Sequence, residues 1–140
     1  MSREIKFRAW DYNNECIIPW EKIRLEKDEG ENTFSVVVFD GDVGDHFDDF
    51  PYMQYTGLKD KNGKEIYEGD IVEYNDFNSL RTGGHAEDKI IVGKVAFSCG
   101  MWMVEEKNGH HDLYEGLVND EELEIIGNIY ENPELLEATA

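Results

Sequence analysis

"MQYTGLKDKNGKEIYEGDIVEYND", Met53 to Asp76, is the stretch on which the reading of this chain turns. Asn62–Gly63 lies between Lys61 and Lys64, a hairpin-turn signal because both residue types tolerate positive φ. Beyond it, Ile66 is followed by Glu68–Gly69–Asp70 and then by Ile71 and Val72, which predicts a short element, a glycine turn and a strand. A calcium loop through Asp60, Asn62 and Gly63 fails on register. With Gly63 at the glycine position, the loop would begin at Leu58 and end at Gly69, where carboxylates are required.

Working outward, "EIKFRAWD" (Glu4–Asp11) alternates, with Ile5, Phe7 and Ala9 on one face and Lys6, Arg8 and Trp10 on the other. Pro19 in "IIPWEKIRLEK" breaks any helix ahead of Trp20, Ile23 and Leu25, and "NTFSVVVFD" (Asn32–Asp40) is β-branched and aromatic, as strands are. "GDVGDHFDDFPYM" (Gly41–Met53) reads as an irregular loop or single helical turn, and as a boundary between residues 1–50, a β-rich subdomain, and residues 51–140. "NSLRTGGHAED" (Asn78–Asp88) reads as a polar loop. "KIIVGKVAFS" and "MWMVEE" are strands joined at Cys99–Gly100. Near the end, "ELEIIGNIY" is a strand with Gly127 at a bulge or close-packing point, and Asn132, Pro133 and Glu134 cap and start a helix of a turn or two. Short strands with glycine turns and few helix signals point to a mostly β domain, a small barrel or sandwich.

Three segments resemble the YopX family of small phage and prophage proteins: "EIKFRAWD", "MQYTGLKDKNGKEIYEGDIVE" (Met53–Glu73) and "EIIGNIYENPELL" (Glu124–Leu136), in order along nearly the whole chain. The resemblance implies a phage or prophage origin, a cytoplasmic setting and an SH3-like small β-barrel over residues 51–140, with the N-terminal strand-containing subdomain ahead of it and the short C-terminal helix behind. It carries no agreed activity or catalytic residue to any position here.

Composition narrows the function classes. The 140 residues are 40% hydrophobic and include three Trp, seven Tyr and seven Phe, enough for a core despite a net charge of −19. That field repels phosphate backbones and disfavours direct nucleic-acid binding, while attracting basic surfaces. Charges at Arg3, Glu4, Lys6 and Arg8 exclude the apolar core of a signal peptide over the first residues, and no apolar run spans a bilayer. Cys16 and Cys99 are far apart, without CxxC spacing, and read as plain thiols rather than a disulfide, metal pair or nucleophile.

Nothing in the chain spells an active site. Ser35, Ser79 and Ser98 lack a Gly-x-Ser-x-Gly context, Gly83–Gly84 make no phosphate loop, and the acidic pairs are those chance supplies in so acidic a chain. The carboxylates of "DGDVGD" (Asp40–Asp45) read as a solvated loop, and "GHHD" (Gly109–Asp112) as a surface turn whose adjacent His110 and His111 would point to opposite faces of a strand. The expectation is therefore a non-enzymatic accessory protein with no cofactor and no metal, acting as a protein-binding or assembly module. It would contact another protein or itself as a homo-oligomer. The alternative is an acidic nucleic-acid mimic occupying a basic site on a nucleic-acid-binding protein. Trp102, between Met101 and Met103, is assigned to the core, and the contact residues expected at the surface are Trp10, Tyr55 and Tyr74.

Overall fold

The computed structural model describes residues 4–27, 34–40, 43–47, 49–76, 89–107, 109–119 and 122–137. The loop read in Asn78–Asp88, with His85 and Gly83–Gly84, and part of the "DGDVGD" stretch lie outside the described residues. The fold is mainly β, and the chain divides into two compact units, Met1–Tyr55 and Thr56–Ala140.

In the first unit, β1 (Phe7–Asp11) pairs on one side with β2 (Cys16–Ile18) and on the other with the start of β6 (Tyr52–Lys59), so that Ala9 lies between Ile18 and Tyr52. Pro19 ends β2, and its carbonyl accepts the Lys22 amide in a single 3-10 turn, Trp20–Lys22. Next, β3 (Ile23–Lys27), β4 (Phe34–Asp40) and β5 (Val43–Phe47) make a three-stranded antiparallel sheet in that order. Ala9, Ile18, Ile23, Val36 and Phe50 form the core, with Phe7, Trp20, Phe47 and Tyr52 packed against it. The rings of Phe47 and Phe50 stack at 4.1 Å.

β5 corrects one expectation, since the acidic, glycine-containing stretch read as a loop is a strand in register with β4. Gly44 serves packing: a Cβ there would come within 2.9 Å of the Phe39 ring and of Val37, which no strand neighbour tolerates without shifting. Over the same sheet, Glu26 reaches across β4 to His46 at 2.9 Å and also accepts from Arg24 at 2.6 Å, a polar strap above the buried Val37.

The second unit contains β7 (Glu65–Tyr67), β8 (Asp70–Asp76), β9 (Lys89–Ser98), β10 (Met101–Glu106) and β11 (Gly109–Asp112), then α1 (Leu113–Asn119), β12 (Glu124–Asn128) and α2 (Glu134–Glu137). Five of these strands form an antiparallel sheet in the order β11-β10-β9-β8-β12. Alternation along β9 sends Ile91 and Val95 inward, where they meet Ile66, Val72, Tyr74, Val104, Leu113 and Leu123. A buried aliphatic side chain of this kind contributes about 1.5–3 kcal/mol, so this cluster dominates the unit's stability.

The "GHHD" stretch is β11 rather than a surface turn, because it pairs along β10 from Met103 to Glu106. The helix after it was not foreseen. Asp112 caps α1, its Oδ1 accepting the amides of Tyr114 (2.9 Å) and Glu115 (3.3 Å).

The end of the chain follows its sequence signals closely. The β8–β12 register slips between Ile125 and Gly127, a bulge, and a Cβ at Gly127 would stand 2.5 Å from Asn132 Oδ1. Asn128 Oδ1 accepts the amides of Tyr130 and Glu131, and Asn132, read as the helix cap, turns its side-chain oxygen back to the Asn128 amide at 3.3 Å. The helix that follows is one turn.

Candidate functional site

The three expected contact residues are not surface residues. Trp10 and Tyr55 are each 7% exposed and Tyr74 is 6% exposed, the last inside the second unit's core. For Trp10 the physical reason lies in β1 itself: Ala9, Trp10 and Asp11 are all buried, so both faces of the strand are covered and being out of phase with Phe7 does not mean facing water. The aromatic that was assigned to the interior, Trp102, is half-buried against the core and leads toward the surface.

That surface is the tip of the β9–β10 hairpin. Phe97 and Trp102 are cross-strand partners whose rings meet edge to face at 5.1 Å. Phe97 is 58% exposed and Met101 38%. They flank a two-residue turn in which Cys99 (φ 54°) and Gly100 (φ 78°) are both left-handed, the geometry of a tight hairpin. The Cys99 thiol is free and exposed, with Ser98 Oγ at 3.8 Å. No charged side chain occurs from Val95 to Val104, in a chain that is 32% charged. What such a surface can do is bury apolar area against a partner.

Elsewhere, a carboxylate of the central segment is held in structural hydrogen bonds. Asp60 Oδ1 accepts the amides of Asn62 (2.9 Å) and Lys64 (3.0 Å), and its Oδ2 accepts that of Ile125 (3.0 Å). His110 and His111 do face different carboxylates, Glu105 at 3.7 Å and Glu106 at 3.3 Å, and Lys89 lies 3.2 Å from Glu106. Among the described residues no three His, Cys, Asp or Glu side chains converge as a metal site. Likewise, no helix among them is long and apolar enough to cross a membrane. The Lys61 ammonium, flanked by Glu124 and Glu122, is held above its usual range.

Among the described residues of the first unit, an open pocket of about 590 Å³ is lined by all of β2 together with Asp11, Glu21, Val38 and Phe39 among others. Burial pushes the Asp11 carboxyl up, but hydrogen bonds from the Asn14 side chain and from the Asn14 and Asn13 amides outweigh it and leave the group below its usual value.

Two β units, the second built on an antiparallel meander whose last strand returns to its first, define a small, mainly β protein in class. The chain belongs to the YopX family: the family model described as YopX protein matches residues 6–137. Two solved structures are similar over nearly their whole length. Protein EF1440 from Enterococcus faecalis is 25% identical with a TM-score of 0.65, over 96% of this chain and 99% of that one. Protein yopX from Bacillus subtilis is 25% identical with a TM-score of 0.62, over 94% of this chain and 97% of its own. No curated protein matches the chain.

Proposed function

We propose that this protein is a non-enzymatic accessory protein of phage or prophage origin, working in the cytoplasm as a protein-binding or assembly module. Residues 51–140 would then be an SH3-like barrel. The strand order supports the fold reading: consecutive strands β8 to β11 form a meander, a short helix follows, and β12 returns to pair with β8. The observation that carries the functional reading is the uncharged hairpin tip, where Phe97, Met101 and Trp102 offer apolar area that folding alone leaves wet.

The test uses the wild-type chain and a Phe97→Ala/Met101→Ser double variant as baits in bacterial lysate at low and high salt, alongside sedimentation of each alone. Both substitutions sit at exposed positions, so the variant stays folded, losing about 1 kcal/mol. A salt-resistant partner, or self-association, that the variant loses supports the module. Identical behaviour of the two baits removes it. Capture of a basic nucleic-acid-binding protein, lost at high salt and competed by DNA, would instead establish the acidic mimic.

A further inference from the structure

We propose that the pocket of the first unit receives a short extended segment of a partner protein, carrying basic side chains, as an added strand along β2. This surface is separate from the hairpin tip and stands or falls independently of it.

The first argument is topological. β2 is the terminal strand of its sheet, and among the described residues its ladder partner is β1 alone. A terminal strand presents backbone donors and acceptors on its open side, the template on which extended peptides dock. All three residues of β2 line the pocket, so the groove runs along that strand rather than beside it. Pro19 follows directly and lacks an amide hydrogen, which limits the added ladder to a few residues. A volume of about 590 Å³ suits a segment of that size.

The second argument concerns what the segment carries. Ile18 and Val38 belong both to the core cluster and to the pocket wall, so one side of the groove is apolar and continuous with the interior. An occupant therefore needs apolar side chains on the face that looks inward. The charged lining is Asp11, Glu21 and Lys22, two carboxylates against one ammonium. Asp11 is 8% exposed, and among the described residues its oxygens accept from its own turn, on which three hydrogen bonds converge. Each carboxylate oxygen retains acceptor capacity for a cation. The whole chain adds a field of net charge −19, which concentrates basic segments and repels acidic ones. Alternating apolar and basic residues match an inward apolar wall and an outward acidic rim at the period of a strand.

The probe is an end-capped hexapeptide of alternating valine and lysine, with a valine–glutamate hexapeptide as its counterpart, titrated into the isotope-labelled full chain and followed by amide resonances. The lysine peptide is expected to shift Cys16–Ile18, Val38 and Phe39 with affinity that falls as salt rises, and the glutamate peptide to shift none of them. Glu21→Lys, on the exposed turn, weakens the lysine peptide about tenfold. Cys16→Trp, at an exposed position, fills the groove and abolishes the shifts, while the Phe97→Ala/Met101→Ser variant keeps them. Equal binding of the two peptides, shifts that avoid β2, or an unchanged response in both groove variants overturns the proposal, as does the absence of any shift.

Discussion

Two tight turns in the second unit, Asn62–Gly63 and Cys99–Gly100, each place a glycine in the left-handed region and surround it with opposite chemistry. Gly63 and Gly100 have nearly the same φ, 77° and 78°. At the first turn every neighbour is polar, and the Asp60 carboxylate collects amides from the turn and from Ile125 on β12. At the second the neighbours are Phe97, Met101 and Trp102, and a second left-handed position, absent from the first turn, falls on Cys99, a residue type that gains nothing there. One turn is tied into the fold and the other is left projecting. The difference separates a turn bonded into the fold from one that leaves apolar side chains exposed.

The contrast can be broken first at Asp60. Asp60→Ala strips acceptors from three amides and is expected to cost about 3 kcal/mol, read from urea denaturation midpoints. A loss under about 1 kcal/mol would mean that the turn is no more integrated than its apolar counterpart. Next in size is Gly127→Ala on the same strand as the Ile125 amide. Its Cβ collides with Asn132, and overpacking of this kind costs about 2 kcal/mol, checked by the shift in thermal midpoint. The projecting turn should respond the other way. Cys99→Asn suits a left-handed position better and is expected to stabilise by about 0.5 kcal/mol; a destabilised variant would show that the thiol is itself part of the packing.

The smallest effect lies in the first unit and depends on acid. Asp11 is held below its usual value despite burial, and Glu26 is held low by its hydrogen bonds to His46 and then Arg24. Folded values below unfolded ones mean that this stabilisation is complete above the ordinary carboxylate range and disappears as pH falls through the lowered values, below about pH 4. Asn14→Ala, which removes the side-chain bond to Asp11, should move the acid transition to higher pH in a near-ultraviolet circular dichroism titration. An unmoved transition would remove Asp11 from the unit's acid stability.

Much of the architecture was legible where local chemistry dictates structure. The strands around Ile71–Val72, the turn at Gly69, the β9–β10 junction, the bulge at Gly127 and the one-turn helix after Pro133 all rest on residues whose backbone preferences are strong. β5 was hidden because Gly44 reads as punctuation, whereas its role is to admit the Phe39 ring. α1 was missed although Asp112 precedes Leu113 and Leu117 at helical spacing, a cap signal outweighed by the histidines before it. The burial of Trp10, Tyr55 and Tyr74 was hidden for a related reason. Alternation assigns faces only when one face is wet; β1 is covered on both, and at the end of β9 the inward-facing Phe97 runs past the core into solvent.

The bond from the Ile125 amide to Asp60 spans 65 residues of chain. Hairpin turns close in microseconds, but this acceptor is completed only when β12 arrives, after the meander between them has formed. Until then the carboxylate stays partly hydrated and the turn can open and close freely. The hairpin at Asn62–Gly63 is therefore expected to close early and reversibly, with the docking of β12 completing its hydrogen bonds. In hydrogen exchange, the Asn62 and Lys64 amides should share the protection of β12 rather than that of an isolated turn.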